Sequence, residues 1–231
     1  MPNRDSWRYA APNAVTSANI AAGFGSMLAA ANGRFEVAVY LLVLCILLDM
    51  ADGRVARRFN ATSELGQQLD SFSDAISFCA APAFLIQRAL LTELEGIGVA
   101  VSITYVLAGV FRLARFNLMS DAHGKAEKTC GLPTPIAAGY LMVLALIRAD
   151  ISPQTAALTV LFFAGFMISR VPLPEVPRRG LLGAAFFVGF WSFMVVVMKP
   201  NWYTIGFWNA WNVVILLMAK VQERRLAASE A

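Results

Sequence analysis

Asp49, Asp52, Asp70 and Asp74 stand at spacings of three, eighteen and four, where two long apolar segments meet. On a helix, a gap of three or four keeps side chains on one face. Asp49 and Asp52 should therefore project together from one helix, and Asp70 and Asp74 from the next. A short turn between them would bring both pairs to one point. An Asp in a membrane helix costs about 2.5–3.5 kcal/mol on insertion scales. Four that also repel one another call for a cation. Hard oxygen donors favour Mg²⁺ or Mn²⁺, with Ca²⁺ able to take their place, over zinc, whose sites usually include Cys or His. The rival reading is a solvated loop in which the carboxylates pair with Arg54, Arg57 and Arg58; it gives no reason for helical spacing.

The elements that must hold these residues are apolar helices. Of the 231 residues, 58% are hydrophobic and 15% charged, and the mean hydropathy of +0.60 excludes an ordinary soluble domain. Apolar segments fall at 14–32, 36–58, 67–88, 96–118, 133–148, 152–169, 181–198 and 203–220. Most have the length of a helix that crosses the hydrocarbon core. The segment at 133–148 is short and opens with Pro133 and Pro135. The expected fold is an all-α integral membrane protein, a single polytopic domain over 1–231. It would hold a bundle of about eight transmembrane helices at 14–220 and a tail at 221–231.

Eight spans put both termini on one side. The N-terminus, the loops after spans 2, 4 and 6, and the C-terminus then carry fifteen Lys and Arg residues against four in the opposite loops. The positive-inside rule makes the first set cytoplasmic, along with the aspartates. The polar start, with Arg4, Asp5 and Arg8, does not read as a cleavable signal peptide. Residues 1–13 would instead form an interfacial segment, with Trp7 and Tyr9 at headgroup depth. The net charge of +4 fits loops beside anionic lipid, not nucleic acid. Cys45, Cys79 and Cys130 lack the spacing of a disulfide framework or a zinc site.

Asp52, Gly53, Ala56, Arg57, Gly66, Asp70 and Asp74 fit the pattern Asp-Gly-x2-Ala-Arg-x8-Gly-x3-Asp-x3-Asp, with Asp49 three positions upstream. This resembles the signature of the CDP-alcohol phosphotransferases, membrane enzymes of phospholipid synthesis. Gly53, Ala56 and Gly66 lack bulk, so a nucleotide could lie close to the backbone. Helix packing explains small residues equally well when they stand alone. Arg57 supplies a planar guanidinium suited to phosphate, and its other role would be a topology anchor.

The resemblance implies a six-helix core plus two further helices, in a bacterial or archaeal-type cell membrane. It also implies a CDP-linked lipid donor, two divalent cations and a homodimer. Asp49, Asp52 and Asp70 would hold one cation, and Asp49, Asp70 and Asp74 the other, with Asp74 also the general base. Pro12-Asn13-Ala-Val-Thr16-Ser-Ala-Asn19 is similar to the segment that opens the first span in many members. Asn13, Thr16 and Asn19 could bond the nucleotide, although Asn13 could equally cap the helix.

Arg112-Leu-Ala-Arg115-Phe-Asn117, followed by Gly131-Leu132-Pro133, resembles the phosphatidylserine synthase branch. That branch implies CDP-diacylglycerol and L-serine as substrates, with phosphatidylserine and CMP as products. Arg112, Arg115 and Asn117 become acceptor candidates, and an arginine there would hold the serine carboxylate or a donor phosphate. Otherwise both arginines are anchors snorkelling to the interface. Glycerol 3-phosphate, inositol and choline are the alternative acceptors within the family. A cation transporter, the reading from another class, would place carboxylates near mid-span rather than beside Gly53 and Arg57.

Overall fold

The computed structural model describes residues 6–59, 64–123, 130–171 and 181–229. They are helical throughout, apart from turns and one isolated bridge at Cys130. The helices are α1 (Ser6–Ala31), α2 (Phe35–Phe59), α3 (Glu64–Asp74), α4 (Ala81–Ile86) and α5 (Glu95–His123). They continue with α6 (Thr134–Leu146), α7 (Pro153–Ile168), α8 (Leu181–Met198) and α9 (Trp202–Ser229). Pro12–Ala31, Leu65–Leu118 and Trp202–Val221 are long and apolar enough to cross a membrane. Thr134–Leu146, Pro153–Ile168 and Phe187–Met198 are apolar but shorter. At 1.5 Å per residue, the 13 residues of α6 reach about 20 Å, short of a hydrocarbon core of about 30 Å.

The chain divides into two compact units, Met1–Arg115 with Leu132–Ile168, and Phe116–Gly131 with Ser169–Ala231. In the first, α1 and α2 form a hairpin. Its turn is a Schellman cap: Gly33 takes φ +72°, its N–H donates to Ala30 at 3.0 Å, and that of Arg34 donates to Ala29 at 2.9 Å. Ala30, Ala38, Val39, Leu42 and Cys45 line the buried seam. The segment expected at the interface is not set apart from the first span, because α1 runs from Ser6 straight through Asn13 with Pro12 inside it. Asn13 is therefore not a helix cap.

The helix carrying Asp70 and Asp74 changes pitch just past them. Ala75–Ala80 is π-helical, followed by α4, a second π turn at Gln87–Leu91 and a 3₁₀ turn at Thr92–Leu94. Pro82 explains the first of these, since it has no N–H for the Phe78 carbonyl and its ring crowds the preceding turn. The hydroxyl of Tyr105, fully buried on α5, donates to that carbonyl at 3.3 Å instead. Gly23 of α1 and Gly109 of α5 flank the same π segment. A Cβ on Gly23 would stand 2.7 Å from Ser77 Oγ, and one on Gly109 would collide with Cys79 Sγ. Glycine lets both helices approach it at backbone distance.

Gly131, at φ +77°, turns the chain toward α6. The Leu132 N–H then meets the Phe166 carbonyl at 3.2 Å. In the second unit α8 packs on α9, with Gly189 beside Trp211 and Ile215 and the Trp211 indole N–H donating to Ala185 at 2.8 Å.

Candidate active site

Helical spacing on α2 and α3 brings three of the four aspartates together. One carboxylate oxygen from each of Asp49, Asp70 and Asp74 lies within 4.8 Å of the others. Asp52, one turn beyond Asp49, lies outside that trio and is buried, with its Oδ2 3.5 Å from the Thr16 hydroxyl. The Thr16 hydroxyl also lies 3.1 Å from the Pro12 carbonyl, the shorter of its two contacts. The charges of the other three aspartates and of Arg112 act on Asp74. Arg54, a candidate counter-ion in the loop reading, turns back to the Met50 carbonyl at 3.0 Å.

These residues suit a hard divalent cation. The donors are carboxylate oxygens, converging from two helices at a spacing one ion could bridge. Asp74 Oδ1 is buried with no hydrogen-bond partner in the protein. An unpartnered buried carboxylate oxygen is costly, and a ligand or a proton donor would relieve it.

The two arginines separate. Arg112 is 8% exposed, its Nε has no protein partner, and its charge reaches Asp74 and Cys79. Arg115, one turn on, gives Nη1 to the Ile168 carbonyl at 3.0 Å and Nη2 to that of Met167 at 3.5 Å. Those carbonyls belong to the last turn of α7, which lacks intrahelical donors. Arg115 caps a helix, whereas Arg112 is buried with an unpartnered Nε and feels the charge of Asp74. Asn117 follows on α5, half-buried, in the second unit.

Gly66 sits in the first turn of α3. Gly53, Ala56 and Arg57 occupy the last turns of α2, with side chains outside the described set. Asn13 is half-buried on α1. Asn19 is fully buried, with its Oδ1 accepting from Ser77 Oγ at 2.8 Å and its Nδ2 without a protein partner.

Residues 9–171 match the CDP-alcohol phosphatidyltransferase family. The chain belongs to that family. It is 34% identical over 160 residues to a protein of Helicobacter pylori J99 named CDP-diacylglycerol–serine O-phosphatidyltransferase, covering 69% of this chain and 67% of that one. A Bacillus subtilis protein of the same name is 29% identical over 168 residues, 73% of this chain and 92% of its own length. The archaetidylserine synthase of Methanothermobacter thermautotrophicus is 34% identical over 173 residues, 74% of this chain and 72% of the relative.

Two hydroxyl residues outside the aspartate motif also belong to this region. Ser73 and Thr134 are buried, and their hydroxyls have no protein partner. Thr134 lies against the Cβ position of Gly109, one turn from Arg112. Nothing in an apolar run marks a single Ser or Thr as special. The one hint was position, since Ser73 adjoins Asp74 and Thr134 follows the Gly-Leu-Pro element.

Proposed function

We infer that this chain transfers the phosphatidyl group of CDP-diacylglycerol to the hydroxyl of L-serine, giving phosphatidylserine and CMP. The observation that carries this reading is the convergence of Asp49, Asp70 and Asp74, with a buried unpartnered Asp74 oxygen among them. Relatives named as serine phosphatidyltransferases and an archaetidylserine synthase support serine as the acceptor.

Asp49, Asp52, Asp70 and Asp74 would hold two divalent cations, Mg²⁺ or Mn²⁺. When bound, the cations neutralise the pyrophosphate and the charge of the departing CMP. The serine hydroxyl oxygen attacks the lipid-linked phosphorus, and Asp74 takes its proton. The P–O bond to the CMP phosphate breaks, and that oxygen keeps the electron pair. Arg112 is assigned to the serine carboxylate, which a guanidinium grips through two parallel hydrogen bonds. Arg115 is assigned to α7 rather than to serine, and Asn117 is supported by the resemblance only. Asn13, Thr16, Gly53, Ala56, Arg57 and Gly66 would line the path of the cytidine diphosphate.

The same reading makes the chain one polytopic domain of about eight spans, with aspartates and termini cytoplasmic, working as a homodimer. The asymmetry of basic residues supports it; among the described residues three helices are long and apolar enough to cross a membrane. Reporter fusions at Gly33 and at the C-terminus test the topology, and should report opposite sides.

The reaction is tested with purified protein, CDP-diacylglycerol, Mn²⁺ or Mg²⁺, and a panel of labelled alcohols. Serine alone should yield labelled lipid together with CMP. Turnover with glycerol 3-phosphate, inositol or choline in place of serine would overturn the acceptor assignment.

A further inference from the structure

One turn beneath the aspartates, three helical segments meet at Asn19. Its backbone carbonyl lies 3.5 Å from Cys45 Sγ and 3.3 Å from Ser77 Oγ, and its Oδ1 accepts from Ser77 Oγ at 2.8 Å. Cys45 precedes Asp49 by four residues on α2, and Ser77 follows Asp74 by three in the π-helical turn. All three side chains are fully buried. Gly23, one turn along α1, leaves room for Ser77 to come this close.

The π pitch matters here. With a wider turn after Asp74, the rotation of that segment is no longer set by regular i→i−4 bonding. Something outside the helix must fix it. The shortest side-chain hydrogen bond from this turn to another helix is that of Ser77 to Asn19. Buried polar pairs of this kind cost desolvation and give direction in return, which apolar packing does not.

We propose that Asn19 and Ser77 are positioning residues, which lock the rotation of the π turn against α1 and so hold Asp74 at the reach of Asp49 and Asp70. The proposal rests on the two-cation reading of the aspartates, and its test separates the two. Mn²⁺ affinity and the EPR spectrum of bound Mn²⁺ are measured on the full chain in detergent micelles. The variants are Asn19→Ala, Ser77→Ala, the pair together, and Ser26→Ala as control. Ser26 is also fully buried, and its hydroxyl donates to the Ala38 carbonyl at 2.9 Å, joining α1 to α2 away from the aspartates.

Asn19→Ala and Ser77→Ala should each weaken Mn²⁺ binding about fivefold, the worth of one typical hydrogen bond. The EPR spectrum should broaden or shift with them. The double variant should be no worse than the worse single one, because the two residues share one interaction. Ser26→Ala should lower the melting temperature comparably and leave Mn²⁺ binding unchanged. Should Asn19→Ala fail to fold, Ser77→Ala, which removes one oxygen atom, carries the test. Unchanged Mn²⁺ binding in Ser77→Ala would overturn the proposal, as would an equal loss in Ser26→Ala. Absence of Mn²⁺ binding by the unaltered chain would overturn the cation reading and this proposal with it.

Discussion

The two ends of the first unit treat their polar groups in opposite ways. At the turn end, each polar group named here has a partner in the protein. Ser26 bonds Ala38, Asn32 bonds Leu28, Ser102 bonds Gln87, and Arg148 reaches Glu36 at 2.9 Å and lies over the Phe35 ring. At the aspartate end, Asp74 Oδ1, Arg112 Nε, Ser73 Oγ and Thr134 Oγ1 are buried and unpartnered, with Asn19 Nδ2 a turn below. Among the described residues, these five are all the buried side-chain polar atoms without a protein partner, so the deficit is confined to one end. Each such atom costs roughly 1–3 kcal/mol. A fold keeps that cost where a ligand will supply the missing bonds and removes it where only stability is at stake.

The comparison breaks most sharply at Asp74. Asp74→Asn removes the proton acceptor and should cut turnover by about 10²–10⁴-fold, the usual worth of a general base, while the purified variant melts near the unaltered chain. Near-normal phosphatidyl transfer would take Asp74 out of the mechanism. Chelation should be as severe: EDTA should abolish CMP release, and Mn²⁺ or Mg²⁺ should restore it. Asp49→Ala and Asp70→Ala should not be restored at any practical metal concentration, since each is expected to serve both cations.

A smaller effect separates the two arginines. Arg112→Ala should raise the serine KM by roughly ten- to a hundredfold, with less change for CDP-diacylglycerol, because a charged hydrogen-bonding partner is lost from a buried place. Arg115→Ala should leave the serine KM alone and destabilise the protein, since the end of α7 loses its donors. Equal KM effects from both variants would erase the distinction that their contacts suggest.

The smallest effect belongs to the turn end. The Glu36–Arg148 pair is partly exposed, at 52% and 33%, so Glu36→Gln should cost no more than about 1 kcal/mol. A thermal melt should move by only a few degrees, and kinetic constants should not move at all. A kinetic change there would mean that the two ends are coupled, which the pattern of satisfied bonds does not suggest.

Much of this protein was determined by its sequence alone. Apolar runs in a bilayer can only satisfy their backbone as helices, so the all-helical character was legible, although the segment at 67–88 divides into α3, α4 and π turns. The aspartates were legible because a helix of regular pitch converts a gap of three or four residues into a shared face. Tertiary structure decided what local pitch cannot carry. It excluded Asp52 from the closest trio, sent Arg115 to the carbonyls of α7 while leaving Arg112 buried with an unpartnered Nε, and buried Asn19 against Ser77. Arg112 and Arg115 have the same side chain one turn apart, and only the helices packed around each could tell them apart. The π turn belongs to the same class. Pro82 lies inside the apolar segment expected as one span at 67–88, and Tyr105, Gly23 and Gly109 reach the altered turn from other helices. Spacing along a chain encodes which residues share a face; what that face meets is a property of the packed molecule.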